Sequence, residues 1–286
     1  MTSETKTLMT DLGIGESPRW HDGRLWFSNW GKQEIIAITP QGKSEVMVQL
    51  PFATFPFSID WLPDGRLLIV STSDQPLLVR ETDGSLVPYA DLRELDIKGW
   101  NELVVDGRGN AYINGGNSNP MAGEAYTPGF IALVTPDGKS RRVADNIAFP
   151  NGMAVTPDNS TLIIAESYAM QLTAFDIEAD GSLTNRRVWA KLEENNNPDG
   201  ICIDTEGAVW YATVPGKRCV RIREGGEILQ TVDLEFGCFA CILGDAAHQE
   251  LFIMAAEWKG MGDAANSLPV GRVVTAPAPM PGAGKP

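Results

Sequence analysis

The sequence has little of the side-chain chemistry on which most enzymes depend. Its 286 residues include two histidines, His21 and His248, and four cysteines. Both histidines fall in short turns, so Ser-His-Asp and Cys-His mechanisms lack a base near any common site. No G-x-S-x-G, H-E-x-x-H or Walker A sequence occurs, which removes the nucleophile elbow, the zincin helix and the P-loop. Cys202, Cys219, Cys238 and Cys241 are too few to form a disulfide scaffold at this length. Cys238 and Cys241 do make a C-x-x-C, but it lies in the apolar run FGCFACIL without a partner pair. That is the setting of buried thiols rather than of a metal or redox centre.

Positive charge is scarce as well. Lys and Arg total 23 against 37 Asp and Glu, a formal net charge of −14. Such a surface repels nucleic acid and anionic lipid, and it tolerates a bound cation. Neither nucleic acid nor membrane is therefore expected as a partner. No apolar run approaches the roughly 20 residues that cross a bilayer, and the opening MTSETKTLMT has no apolar signal region. The expected compartment is the cytoplasm. Long amphipathic helices are missing too. The nearest stretch, 89–98, is short and irregular, and without strand–helix alternation a dinucleotide-binding fold is excluded.

What the chain does have is a repeat. A short apolar segment, a turn rich in Asp and Gly, and a second apolar segment read PRWHDGRLWFS at 18–28 and IDWLPDGRLLIVS at 59–71. The pattern returns at 103–114, 153–167, 201–214 and 242–256. With Gly23, Gly65, Gly109, Asn159, Gly207 and His248 as markers, the spacings are 42, 44, 50, 48 and 41 residues. Each hairpin is followed by a third apolar stretch (EIIAIT, FIALVT, LTAFDI, CVRIRE) and, after a turn, a fourth. Four short strands repeated six times predict an all-β, six-bladed β-propeller. Blades one and six would expose strand edges unless the ring were fastened. The segment 5–10 (TKTLMT) is expected to complete the last blade beside 271–276 (GRVVTA), giving one propeller over 1–277. The Pro- and Gly-rich tail 278–286 is expected to be disordered.

In an up-and-down blade, the first strand starts on the face where the loop after the second strand also lies. The residues at these strand starts therefore ring one mouth of the central channel. They are Glu16, Ser58, Asn101, Asn151 and Asp199, with no polar residue near Phe239–Ala240 in blade six. Glu16, Asn101, Asn151 and Asp199 supply only oxygen, the donor that hard divalent cations take. Two carboxylates also match the ion's two charges. The expected cofactor is one divalent ion, calcium first, with zinc, manganese or magnesium as alternatives. Its chemistry would be Lewis-acid activation, with Asp199 as general base and Asn101 orienting substrate or metal. The longest insertion, 114–129, lies on the same face and is expected to act as lid and selectivity element. Other loops there carry Asn29, Trp30, Ser73, Asp74, Glu166, Tyr168 and Trp258, whose aromatics are either pocket walls or loop anchors.

GESPRWHDGRLWFSNW, FPNGMAVTPDNSTLIIAES and NPDGICIDTEGAVWYA together resemble the SMP-30/gluconolactonase/regucalcin-like family. The resemblance implies a six-bladed propeller with one divalent ion that hydrolyses lactones. It further implies that Glu16, Asn151 and Asp199 bind the metal, that Asp199 also moves the proton, and that Asn101 contacts substrate. Sugar-lactone members carry an arginine two residues before that asparagine. Gly99 stands in its place here, followed by Trp100, so the guanidinium fork is missing and a less polar lactone is expected. The family's acidic substrate contact falls within the insertion, where Asn117, Asn119 or Glu124 could replace it. Two other functions are compatible with the ring: a propeller phosphotriesterase of the diisopropylfluorophosphatase type, and a non-enzymatic metal-binding propeller.

Overall fold

In a computed structural model, which describes residues 4–72, 77–95, 98–118, 123–258, 260 and 270–284, six four-stranded antiparallel sheets form a closed ring. The innermost strands are Gly15–His21, Phe57–Trp61, Gly99–Val105, Pro150–Val155, Pro198–Ile203 and Gly237–Leu243. Each packs against the innermost strands on either side, so together they wall the channel. The blade-one hairpin turns at Asp–Gly as expected. Asp22 and Gly23 both take positive φ, +50° and +69°, the conformation a two-residue turn between twisted strands requires.

Burial follows position in the blade. An inner strand such as Gly237–Leu243 is buried at every residue, whereas the outer strand Ser44–Gln49 exposes four of its six. The core is accordingly a ring of clusters between neighbouring blades rather than one central mass. Ile35, Phe57 and Ile69 join blades one and two, and Tyr112, Met153 and Ile164 join blades three and four. Leu25, Trp210 and Phe252 join blades one, five and six. All four cysteines are free and buried in this last cluster. The Cys238 thiol donates to the Phe236 carbonyl at 3.7 Å and the Cys241 thiol to the Gly200 carbonyl at 3.8 Å.

The ring closes as the edge argument requires. Lys6–Leu12 pairs antiparallel with Gly271–Pro277, with Lys6 opposite Thr275 and Leu12 opposite Gly271. One expectation fails. The tail is not loose over 278–284: Thr205 donates its N–H to Pro281, Gly282 donates to Gly244, and Ala283 donates to Ile203. Composition alone registers the lost proline donors but not these neighbouring strand ends, which offer the tail backbone partners. Gly282 and Gly284 thereby border a cavity of about 390 Å³ at the channel mouth opposite the candidate site.

Candidate functional site

The ring of strand starts forms the floor of a cavity of about 760 Å³ on the other face, and Glu16, Asn101, Asn151 and Asp199 all line it. A departure from regular pairing places them. In blades one, three, four and five the inner hairpin shifts register between Glu16 and Arg19, Trp100 and Leu103, Pro150 and Met153, and Pro198 and Ile201. Such bulges re-aim side chains, and all four candidates stand within or at the edge of one. Blade two pairs regularly from Phe57 to Trp61, and its Ser58 is not part of the cavity wall.

Asn–Gly and Asp–Gly at the floor have a steric reason. A Cβ on Gly152 would lie 2.6 Å from the Asp199 carbonyl oxygen, and one on Gly200 would lie 2.7 Å from Ala240 Cα. Only glycine lets these three inner strands approach so closely. Hydrogen bonds then tie blade three to blade four and blade four to blade five. The Asn101 amide donates to the Pro150 carbonyl at 3.1 Å, the Asn114 amide to the Asn151 carbonyl at 2.6 Å, and the Ser167 hydroxyl to the Pro198 carbonyl at 2.6 Å.

The electrostatics of the floor are unbalanced. Burial, and then the charges of Asp199 and Glu102, push the Glu16 carboxyl well above the usual range. Burial, and then Glu102, do the same to Asp199, against a hydrogen bond from Asn151. Just below, Arg19 bonds Glu102 at 3.1 Å and lies 3.6 Å from Asp60. Arg19 thus answers the lower carboxylates. No ion pair forms with Glu16 or Asp199 among the described residues.

That donor set fits a hard cation. Asn101 spends its NH₂ on Pro150 and Asn151 spends its own on Ser167, 3.3 Å away, so each leaves its carbonyl oxygen as the free group. Two carboxylates that form no ion pair among the described residues and two amide oxygens then share one floor. Among the described residues no three His, Cys, Asp or Glu side chains are grouped to hold a metal by themselves, so the carboxamides are needed to complete the set.

Other expected residues divide. Trp100 lines the cavity, buried and edge-on to Phe130 with ring centroids 5.9 Å apart. Asn117 turns its amide to the Pro128 carbonyl at 2.7 Å, bracing the insertion. Glu124 is exposed and stands outside the cavity wall, and Asn119 lies outside the described residues, as do Ser73 and Asp74. The insertion contributes Ser118, Tyr126 and Thr127 to the wall instead. Trp30, Tyr168 and Trp258 are walls, whereas Asn29 and Glu166 are buried anchors. Asn29 accepts the Gly13 N–H at 2.9 Å, and Glu166 accepts the Ala148 N–H at 2.7 Å. The histidines sit far from this chemistry. His21 stacks on Trp61 at 4.1 Å and borders the opposite cavity; His248 pairs with Asp245 at 2.9 Å.

Sequence reasoning missed Glu102, Arg19 and Phe149. The first two were legible only as strand residues, because regular alternation points Asn101 and Glu102 to opposite faces. The bulge at Trp100–Leu103 cancels that alternation.

Against known proteins, the model of the SMP-30/gluconolactonase/LRE-like region matches residues 14–257. The chain belongs to this family. A family relative, regucalcin from Oryctolagus cuniculus, is 34% identical over 251 residues, 85% of this chain and 83% of that protein. Among solved structures, a calcium-binding protein, regucalcin, from Agrobacterium tumefaciens superposes with a TM-score of 0.80 at 20% identity, covering 99% of this chain and 96% of the other. A gluconolactonase from Xanthomonas campestris gives a TM-score of 0.76 at 20% identity, covering 97% and 90%. At these identities the structural matches speak for the shared propeller. The family match spans the start of the inner strand of blade one through the end of the second strand of blade six, and so contains every candidate ligand.

Proposed function

We propose that this member of the family is a metal-dependent hydrolase that opens a lactone. The observation that carries the proposal is the pair of carboxylates, Glu16 and Asp199, which form no ion pair among the described residues and lie beside two carboxamide oxygens on one cavity floor. Glu16, Asp199, Asn151 and Asn101 would hold the cation, calcium first. A divalent cation bound there supplies Lewis-acid polarisation of a carbonyl oxygen. Membership of a family named for gluconolactonase and the calcium-binding description of a solved relative support the same reading.

The chain's own residues account for the proton. Asp199, half-buried at the floor, accepts a proton from water as the water oxygen bonds to the lactone carbonyl carbon. The bond from that carbon to the ring oxygen then breaks. Asp199 returns the proton to the leaving alkoxide, and a hydroxy acid results, with atoms and charge balanced. Asn101, fixed by Pro150, orients the ester, and the apolar wall limits bulk water around it.

Two substitutions test this. Asp199→Asn keeps shape and removes the base, so kcat/KM on a lactone panel should fall by about 10²–10⁴-fold, with the far-ultraviolet spectrum unchanged. Glu16→Gln should weaken cation affinity measured by calorimetry. Full lactone turnover by the Asp199→Asn variant would overturn the assignment.

A further inference from the structure

The cavity above the floor is made of different material from the floor itself. Among the described residues its charged lining is Glu16 and Asp199 below and Lys98 at the rim. Aromatic rings dominate the rest. On the side of blades three and four, Phe149 stacks on Tyr168 with centroids 4.5 Å apart at 22°, and Tyr126 meets Tyr168 at 4.8 Å. Trp30 and Phe55 stand edge to face at 5.0 Å on the side of blades one and two, and Phe239 and Trp258 lie 5.8 Å apart on blade six.

These rings are not buried for stability alone. Tyr168 keeps 46% of its surface exposed and Tyr126 39%, two of the exposed large apolar groups among the described residues. Both border one concave surface, which marks a place where apolar surface awaits a ligand.

Polar groups in the wall are mostly occupied. The Thr72 hydroxyl pairs with Thr54 at 3.1 Å, and Ser118 accepts the Thr127 N–H at 2.9 Å. Ser167 is spent on Pro198, and the Asn197 amide donates to the Ser167 carbonyl at 2.9 Å. A ligand carrying many hydroxyls would leave most of them unpaired here, at a cost for each. The cavity, about 760 Å³, also falls in the range of drug-sized ligands rather than of a bare sugar ring.

We propose that the substrate is a lactone carrying an aromatic or alkyl body, seated against the Phe149–Tyr168–Tyr126 rings with its ester over the floor. The proposal rests on the hydrolase reading above. Tyr168 is the specificity-determining residue, since it touches both other rings of the ladder and faces the opening. Gly99 is the place where that preference can be reversed, because a Cβ there would meet nothing within 4 Å. An arginine could enter that space and offer donors to hydroxyls.

The experiment compares kcat/KM for 3,4-dihydrocoumarin, δ-decalactone and D-glucono-δ-lactone with calcium-loaded protein, and for the Tyr168→Ala and Gly99→Arg variants. The two apolar lactones should be preferred by about 10²-fold or more. Tyr168→Ala should lower kcat/KM for dihydrocoumarin about tenfold, mainly through KM, and shift the dihydrocoumarin-to-gluconolactone ratio towards the sugar lactone. Gly99→Arg should narrow the ratio. Turnover of gluconolactone equal to or above that of the apolar lactones overturns the substrate class while leaving the hydrolase intact. If no lactone is turned over with calcium, zinc, manganese or magnesium, the hydrolase reading falls. Tryptophan fluorescence with the lactam of dihydrocoumarin and with gluconolactam then decides the pocket. Tighter binding of the aryl lactam supports the apolar site, and equal or weaker binding overturns it.

Discussion

Buried polar residues of this protein do two jobs that their neighbours distinguish. Glu16 and Asp199 form no ion pair among the described residues, whereas Glu166, also on the cavity face, is saturated. Burial pushes the Glu166 carboxyl up, but the Ala148 amide, the Thr173 hydroxyl and the Arg186 guanidinium outweigh it and hold the carboxyl below its usual range. A carboxylate whose folded pKa is depressed contributes stability above its unfolded pKa and loses it as pH falls through the folded value. Glu166→Gln should therefore cost on the order of 1–3 kcal/mol near neutral pH. The difference from the wild type should shrink well below the ordinary glutamate value of about 4.3. Urea denaturation at the two pH values measures it; an equal loss at both would mean that the carboxylate's charge contributes nothing. At this scale the sequence was most informative about the floor. Glu16, Asn101, Asn151 and Asp199 could be found by register because each sits at a strand start. Glu102 and Arg19 could not, because a bulge is invisible to a period of two. The insertion residues Asn117 and Glu124 were misplaced for a related reason: a loop has no period from which to read a direction.

The informative elements are the inner strands. Their bulges turn side chains into the channel, and their glycines permit the approach that brings blades four, five and six together. Gly200→Ala tests this coupling. The new methyl would press on Ala240, so the cost should be about 1–3 kcal/mol, read as a lower melting temperature. Lactone kcat/KM should fall as well, since the adjacent Asp199 moves with the strand. Unchanged stability would mean that the inner strands tolerate separation, and the steric account of the Asp–Gly pair would be wrong. Strand boundaries were legible because Asp–Gly and Pro–Asp turns recur at a nearly constant spacing. Direction within the wall was not. Tyr126 and Phe149 reach the cavity from loops, and Phe149 does so at a positive φ of +60°, which no apolar pattern announces.

Across the whole molecule, the sequence revealed architecture better than termini. Six repeats, too long for a β-helix coil and too regular for sandwiches, lead to the propeller, and the exposed edge of blade six calls for Lys6–Leu12 to close it. The tail was misjudged because order in a Pro- and Gly-rich segment depends on whether backbone partners stand nearby, as the backbones of Ile203, Thr205 and Gly244 do. The ring also separates side chains by face. Carboxylate and carboxamide oxygens and aromatic walls gather at one mouth, while His21 and the tail stand at the other.

Hydrolysis of dihydrocoumarin by protein stripped with EDTA, and again after calcium, zinc, manganese or magnesium is restored, tests that account most directly. Loss of turnover on stripping and its return with a divalent cation is the predicted result. Undiminished turnover by the stripped protein would contradict it, because the carboxylates and carboxamides of the ring would then need no cation to act.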